Sequence, residues 1–352
     1  MMYEEIFILA SGISAPTEQS HLSIEWVLAG ELAVGRDAAN RYLLVLAGVE
    51  LDAKSELVSR VLSHGHWLHE SGAAVSGTLL RLHDGEPFLV AVTAIATEFL
   101  RRGLGPRSAP EVFREVESFI ELVIRRVLLP PNSLLGLIGE LLILDYALEG
   151  LAGLSASKRP TPSSLWRGYT NQSRDLAFNR LAIEVKTTSG HSSRHHIGSL
   201  DQVEPRTLDG GLCESLFLAS IGLAEEIGGT SRFSVSQLTD RILSRLSPAD
   251  CVIFLDQLRQ YGPDDCIGYD HGSMSSWEPY SRRYRLTFEP RLYDMSDPNV
   301  RVLRRADLQE LFVMPEGISY VVDLPSAIPG SHGQNPRTDL ASELSQLLEH
   351  FG

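Results

Sequence analysis

Residues Arg174–Thr188 read RDLAFNRLAIEVKTT and hold two carboxylates and a lysine among short apolar runs. With Asn179-Arg180 as a two-residue turn, Phe178 faces Leu181, Leu176 faces Ile183, and Asp175 lies opposite Glu184. Opposed residues of antiparallel strands point to one side, with Cβ atoms about 5 Å apart. Two carboxylates so placed repel unless a cation sits between them or one is protonated. The strand period also puts Lys186 on the face of Glu184, with Ile183 and Val185 on the other. Carboxylate oxygens suit Mg²⁺ or Mn²⁺, ions that keep waters for a substrate phosphate. A lysine beside such an ion can orient or help activate a water, or stabilise charge on phosphate oxygens. This is equipment for hydrolysing a phosphodiester.

A further acid comes from the helix expected before this hairpin. Asn132-Ser133 can cap a helix over Leu134–Glu149. Its charged residues are Glu140, Asp145 and Glu149. Helical periodicity sets Glu140 away from the other two, which mark the expected solvent side. Gly136 and Gly139 sit beside Glu140 and allow close approach to a sheet. A carboxylate buried there needs a partner, and a metal or the lysine would supply one.

Charge distribution supports the same region. The chain has 352 residues, a formal charge of -14 and 45 acidic against 31 basic residues, so bulk attraction for nucleic acid is excluded. Between Ala156 and Arg206, however, eight basic residues face four acidic ones, and His191, His195 and His196 lie in the same window. Only three lysines occur, Lys54, Lys158 and Lys186, against twenty-eight arginines. A retained lysine therefore invites a reason, and Lys186 ends an apolar strand. Arg167, Arg174 and Arg194 are candidate phosphate contacts. Trp166 reads either as a base-stacking platform or as a core anchor. The histidines match no zinc spacing and receive no role.

Together, Gly136-Leu-Ile-Gly139-Glu140-Leu, Trp166-x-Gly168, Asp175, Ile183-Glu-Val-Lys186-Thr-Thr188, His196-Ile197 and Asp201-Gln202 resemble a bacterial family of PD-(D/E)xK motif proteins, DUF4420. The matching motifs cover residues 134–206, and Tyr284–Arg291 and Gly317–Leu324 resemble its C-terminal part. The resemblance implies an α/β, restriction-endonuclease-like core, a mixed central sheet flanked by helices, with a Mg²⁺- or Mn²⁺-dependent DNA-cleaving site. It makes Asp175, Glu184 and Glu140 metal ligands, Lys186 the water-orienting or charge-stabilising residue, and Gln202 a further site residue. Arg174 stands where the superfamily name has proline. The same resemblance implies work in restriction or phage defence, with a helicase-like ATPase and a methyltransferase as partners. No residue here carries that partner expectation, and a homodimer is compatible with it. The rival reading is a catalytically silent module of the same fold, used for DNA binding or assembly. A nuclease acting on RNA or branched DNA also stays open.

The surrounding elements must position these groups. Residues 1–104 are expected to form a β-rich accessory domain, 105–225 the nuclease core, and 226–352 a C-terminal α/β extension packed on it. Gly77–His83 and Pro87–Val92 read as a hairpin about Asp84-Gly85, followed by a helix over Thr93–Arg102 and another over Glu111–Leu129. Gly150–Ser164 reads as a connector and Ser189–Ser199 as a polar loop. Strands are expected at Glu214–Leu223, Tyr284–Phe288 and Ile318–Leu324, a helix at Val235–Leu246, and a buried run at Cys251–Leu258. No apolar stretch suits a transmembrane helix, the N-terminus lacks the basic start of a signal peptide, and Cys213, Cys251 and Cys266 are too scattered for a disulfide framework. A reducing cytoplasm is the expected setting, and the absence of a phosphate-binding glycine loop assigns any ATP-driven step to a partner.

Overall fold

The computed structural model describes residues 2–351 apart from 49, 70, 71, 73, 152–161, 171–173, 209, 227–232, 264–267, 278 and 329–339. Most of the expected connector at 150–164, with Lys158, and Cys266 lie outside the described residues. Contacts divide the chain into two units, Met1–Leu129 with Pro263–Ile267, and Pro130–Gly262 with Gly268–Gly352. The sequence reading divided it after residues 104 and 225.

The first unit runs α1 (Tyr3–Ser11), β1 (His21–Leu28), β2 (Leu32–Asp37), β3 (Tyr42–Ala47), α2 (Glu56–Val61), β4 (Leu62–His69), β5 (Ala74–Leu82), α3 (Glu86–Arg101) and α4 (Ala109–Val127). Its strands close a barrel in the order β1-β2-β3-β5-β4, shut by parallel pairing of β1 with β4. Alternate residues Leu22, Ile24, Ala33, Leu43, Val45 and Leu79 fill it. The expected hairpin about Asp84-Gly85 is absent. Gly85, at φ 116°, instead leads into α3, with Pro87 in its first turn. Proline suits that position because a first-turn N–H has no helical partner anyway.

The second unit runs α5 (Pro131–Leu151), α6 (Pro162–Leu165), β6 (Leu176–Phe178), β7 (Leu181–Thr188), β8 (Ser193–Ile197), β9 (Ser215–Glu225), α7 (Val235–Leu243), α8 (Pro248–Arg259), α9 (His271–Met274), β10 (Tyr284–Asp294), β11 (Tyr320–Leu324) and α10 (Leu340–Phe351). Its central sheet has the order β10-β9-β7-β6, with β7 parallel to β9 and the other pairs antiparallel. Helix α5 packs on one face. A Cβ at Gly139 would stand 2.2 Å from Thr187 Cγ2 and 3.4 Å from Val185 Cγ1, so the glycine lets the helix seat on β7. The other face is covered by β8 and β11, through Ile197, Val322 and Leu324 against Ala182, Leu216, Leu218 and Tyr293. The fold is the expected mixed α/β core, with helix α5 on one face of the central sheet and the β8–β11 pair on the other. No single helix among the described residues is long and apolar enough to cross a membrane.

Four expectations need correction here. Asp145 does not mark a solvent face: it is buried, paired with Arg241 at 2.9 Å and with Arg245, both reaching in from α7 and its end. Ser189–Ser199 is not all loop, because β8 pairs with β11 from Ser193↔Leu324 to Ile197↔Tyr320. The run Cys251–Leu258 lies on a helix, α8, and leaves Val252 and Ile253 exposed while Phe254 and Leu258 are buried. Helix α5 also starts at Pro131, so Asn132 and Ser133 lie inside its first turn.

Candidate active site

The hairpin folds in the expected register, with Phe178↔Leu181 and Leu176↔Ile183. Asn179 takes the left-handed conformation, φ 50°, which asparagine tolerates better than most residues. Strand pairing ends at Leu176↔Ile183; Asp175 lies one residue before β6, and its N–H donates to Ile183 O at 3.1 Å, one residue short of the Glu184 position expected opposite it. Beyond that point β6 has left the sheet, and the Asp175 side chain takes over: the Val185 N–H donates to Asp175 Oδ2 at 2.6 Å. Lys186 Nζ lies 3.0 Å from Glu184 Oε1. Glu184 is buried, while Lys186 and Asp175 each reach the surface in part.

Glu140 approaches from α5 and is held at both oxygens. The Tyr261 hydroxyl donates to Oε1 at 2.7 Å, and Trp166 Nε1–H donates to Oε2 at 2.8 Å. The two donors stack on each other, ring centroids 5.9 Å apart, and Phe254 closes against the Trp166 edge. Gly168 completes the cradle, since a Cβ there would fall 1.6 Å from Glu140 Oε2. Trp166 is fully buried, which makes it the core anchor of the two readings.

Packing three carboxylates together raises all of them. Burial first, then the charge of Glu140, pushes Asp175 up to about 8. Burial and the Asp175 charge push Glu184 up to about 7, against the pull of Lys186. Burial also takes Glu140 to about 7, although Tyr261 and Trp166 oppose the rise and Glu184 adds to it. Each ionised form is therefore short of positive charge, a deficit that a divalent cation would fill. Asp175 and Glu184 present hard oxygen donors at an accessible edge and fit such an ion. Glu140 already has a donor on each oxygen and stands behind them. Among the described residues, no three His, Cys, Asp or Glu side chains form a ready-made metal cluster.

The remaining candidates separate clearly. Arg174, expected at a DNA phosphate, is buried and spent internally: it pairs with Glu214 at 2.6 Å and donates to Glu204 O at 2.9 Å and to Asp201 O. Arg167 is partly exposed next to the site, its N–H donating to Asp175 O at 2.7 Å. Arg194 is exposed on β8, level with Asp323. Gln202 ties its own loop, accepting from Gly198 N–H at 2.8 Å, and contacts none of the carboxylates. His191 and His196 are exposed. His195 is buried, with Nε2 2.7 Å from Ser220 Oγ. Burial foremost, with Lys186 adding to it, lowers His195 to about 4, so its imidazole is neutral. Tyr261 had no sequence signal for a site role, because its contact with Glu140 is made only in the fold, whereas His195 lay in the basic window and received no role. The Trp166-x-Gly168 spacing did carry a signal.

A family model described as "Putative PD-(D/E)XK family member, (DUF4420)" matches residues 14–276, more than half of the chain. That span holds Glu140, Trp166, Gly168, Asp175, Glu184, Lys186 and Tyr261. No curated protein and no solved structure matches. The nuclease-like arrangement of the core and the family match agree, and the chain belongs to this PD-(D/E)XK family, DUF4420.

Proposed function

We propose that the protein is a metal-dependent DNA endonuclease, working in the bacterial cytoplasm as a subunit of a restriction or phage-defence system. The observation that carries this reading is that the Asp175 carboxylate, bonded to the Val185 N–H, sits against the strand that carries Glu184, with Lys186 against Glu184. Asp175 and Glu184 would hold Mg²⁺ or Mn²⁺. When bound, the cation supplies Lewis-acid polarisation of the scissile phosphate and neutralises charge that builds on its oxygens. Lys186, drawn from Glu184 toward the phosphate, orients the attacking water or stabilises the phosphate oxygens. The Val185 N–H fixes the Asp175 carboxylate, and Tyr261 with Trp166 fixes Glu140 behind it. Gln202 stays outside this set, since its carboxamide serves its own loop. Target choice is assigned to partner proteins, a helicase-like ATPase and a methyltransferase, with a homodimer as the simplest way to cut both strands.

The silent-module reading is favoured by one observation: Glu184 is engaged by Lys186, Glu140 has a donor on each oxygen and Asp175 accepts from the Val185 N–H, so all three acids have internal partners. Mn²⁺ binding followed by electron paramagnetic resonance separates the two. The nuclease reading expects saturable binding that Asp175→Ala and Glu184→Ala abolish. Absence of binding by the folded wild type would replace it with the module reading.

A further inference from the structure

Lys186 shares its row of the sheet with a second cation. In strand register Lys186 is level with Ser220 of β9, and Ser220 is level with Arg291 of β10. Residues level on adjacent strands share a face, so lysine, serine and arginine run in line across the face that holds Glu184. Strand spacing puts the two cations' backbones about 10 Å apart. His195 covers the middle position through Ser220 Oγ.

The direction of Arg291 is built into β10. That strand breaks register between Leu286 and Phe288 and again between Phe288 and Arg291. Bulges of this kind re-aim side chains. Gly222 provides the room: a Cβ there would stand 2.4 Å from Phe288 Cε1, so the ring lies against the β9 backbone. The Arg291 guanidinium stacks over this ring, 4.5 Å from its centroid, and Nη1–H donates to Ser193 Oγ at 2.9 Å. Ser193 is itself fully buried and also accepts from the Tyr293 hydroxyl at 3.1 Å. One edge and one face of the guanidinium are thereby fixed, leaving its other N–H groups for an incoming acceptor.

What Arg291 lacks is a carboxylate. Among the described residues it pairs with none, whereas Arg282 is neutralised by Glu225 and Arg285 by Glu226 close by. In a chain with 45 acidic residues, a preorganised and partly exposed arginine without one is suited to an outside anion.

We propose that Arg291 binds a backbone phosphate of the nucleic-acid strand being cut, the phosphate adjoining the one handled by Lys186. This rests on the nuclease reading of Asp175, Glu184 and Lys186. It assigns a phosphate contact to a residue of β10, outside the three, Arg167, Arg174 and Arg194, to which the sequence had pointed.

The test is DNA binding in a Lys186→Ala background with Mg²⁺, which removes turnover, followed by fluorescence anisotropy of a labelled duplex across a salt series. Arg291→Ala and Arg291→Gln are expected to weaken binding about tenfold. They are also expected to reduce the slope of log K against log salt by about 1, the signature of one lost phosphate contact. Arg291→Lys should recover the slope but only part of the affinity, because lysine keeps the charge and loses the planar fork. Arg282→Ala should leave both unchanged. The glutamine variant keeps packing against Phe288, so a folded protein is available if alanine unfolds it. An unchanged slope in folded Arg291→Gln, or an equal loss in Arg282→Ala, overturns the assignment. Wild-type cleavage, measured separately, shows whether the nuclease reading stands when the Arg291 assignment falls. Absence of DNA binding by every variant overturns the assignment as well.

Discussion

Glu140 occupies the space that Gly168 leaves open: a Cβ at Gly168 would sit 1.6 Å from Glu140 Oε2. A side chain at that point must displace the carboxylate from Trp166 or push the Trp166–Phe254 packing apart. Overpacking of this kind costs about 1–3 kcal/mol. We therefore expect Gly168→Ala to lose about that much stability in urea denaturation and to cleave DNA at least about tenfold more slowly. Gly317→Ala, where a Cβ meets open space, should change neither. Wild-type stability and rate in Gly168→Ala would contradict the cradle.

Tyr261→Phe tests the second donor. It keeps the stack on Trp166 but leaves Glu140 Oε1 without its hydrogen bond. A buried oxygen so orphaned costs about 1–3 kcal/mol. Because the hydroxyl opposes the rise in Glu140, its loss raises that carboxyl further. The cost should be larger at about pH 8, where the wild-type carboxyl is largely ionised, than at about pH 5, where it is protonated. Urea denaturation at the two pH values gives the comparison, and an equal cost at both would contradict the contact.

Much of this centre was legible in the sequence, for a local reason. A two-residue turn fixes the register from Phe178↔Leu181 to Leu176↔Ile183, which brings Asp175 beside the strand of Glu184, and strand alternation puts Lys186 on the Glu184 face. Glu140 pointed inward as expected, although one premise failed: Asp145 is buried too, because Arg241 and Arg245 meet it from a helix distant in sequence. The same limit hid β8. Its polar Ser193-Arg194-His195-His196 looks like a loop until β11 pairs with it and buries Ser193 and His195. Arg174 shows the limit most sharply. Its charge was visible in the sequence, and its partner Glu214 was not. At Asp84-Gly85-Glu86-Pro87 two local signals competed, and the proline belonged to a helix start.

The pH dependence of metal-free stability follows from the three acids. Asp175 at about 8 and Glu184 and Glu140 at about 7 all lie above their unfolded values near 4. The folded state then holds more protons than the unfolded state between those limits, so stability falls as pH rises. Their contribution is complete below about pH 4 and is lost as pH passes through about 7 to 8. In EDTA, Tm should drop between about pH 6 and pH 9. Asp175→Asn should flatten that drop, and Mn²⁺ should raise the wild-type Tm most at the alkaline end. A wild-type Tm in EDTA that is flat or rises over this range would contradict the buried cluster.

Arg174→Ala should behave as a folding mutation. Removing one partner of a buried ion pair costs about 3–5 kcal/mol, because Glu214 is left uncompensated. The expected result is a large loss in urea denaturation, with the remaining folded protein binding DNA at wild-type affinity. Arg167→Ala, on the partly exposed rim of the site, should do the reverse and leave stability within about 0.5 kcal/mol. A stable Arg174→Ala protein with weakened DNA binding would reverse the two roles.

The central claim is that Asp175, Glu184 and Lys186 form a working phosphodiesterase centre. Its most direct test is nicking of supercoiled plasmid in Mg²⁺ or Mn²⁺ by wild type, Asp175→Ala and Lys186→Ala, each checked for folding by circular dichroism. We expect metal-dependent nicking, by the protein alone or once its partner proteins and ATP are added, that both substitutions abolish. Cleavage that survives both in folded protein would contradict the claim.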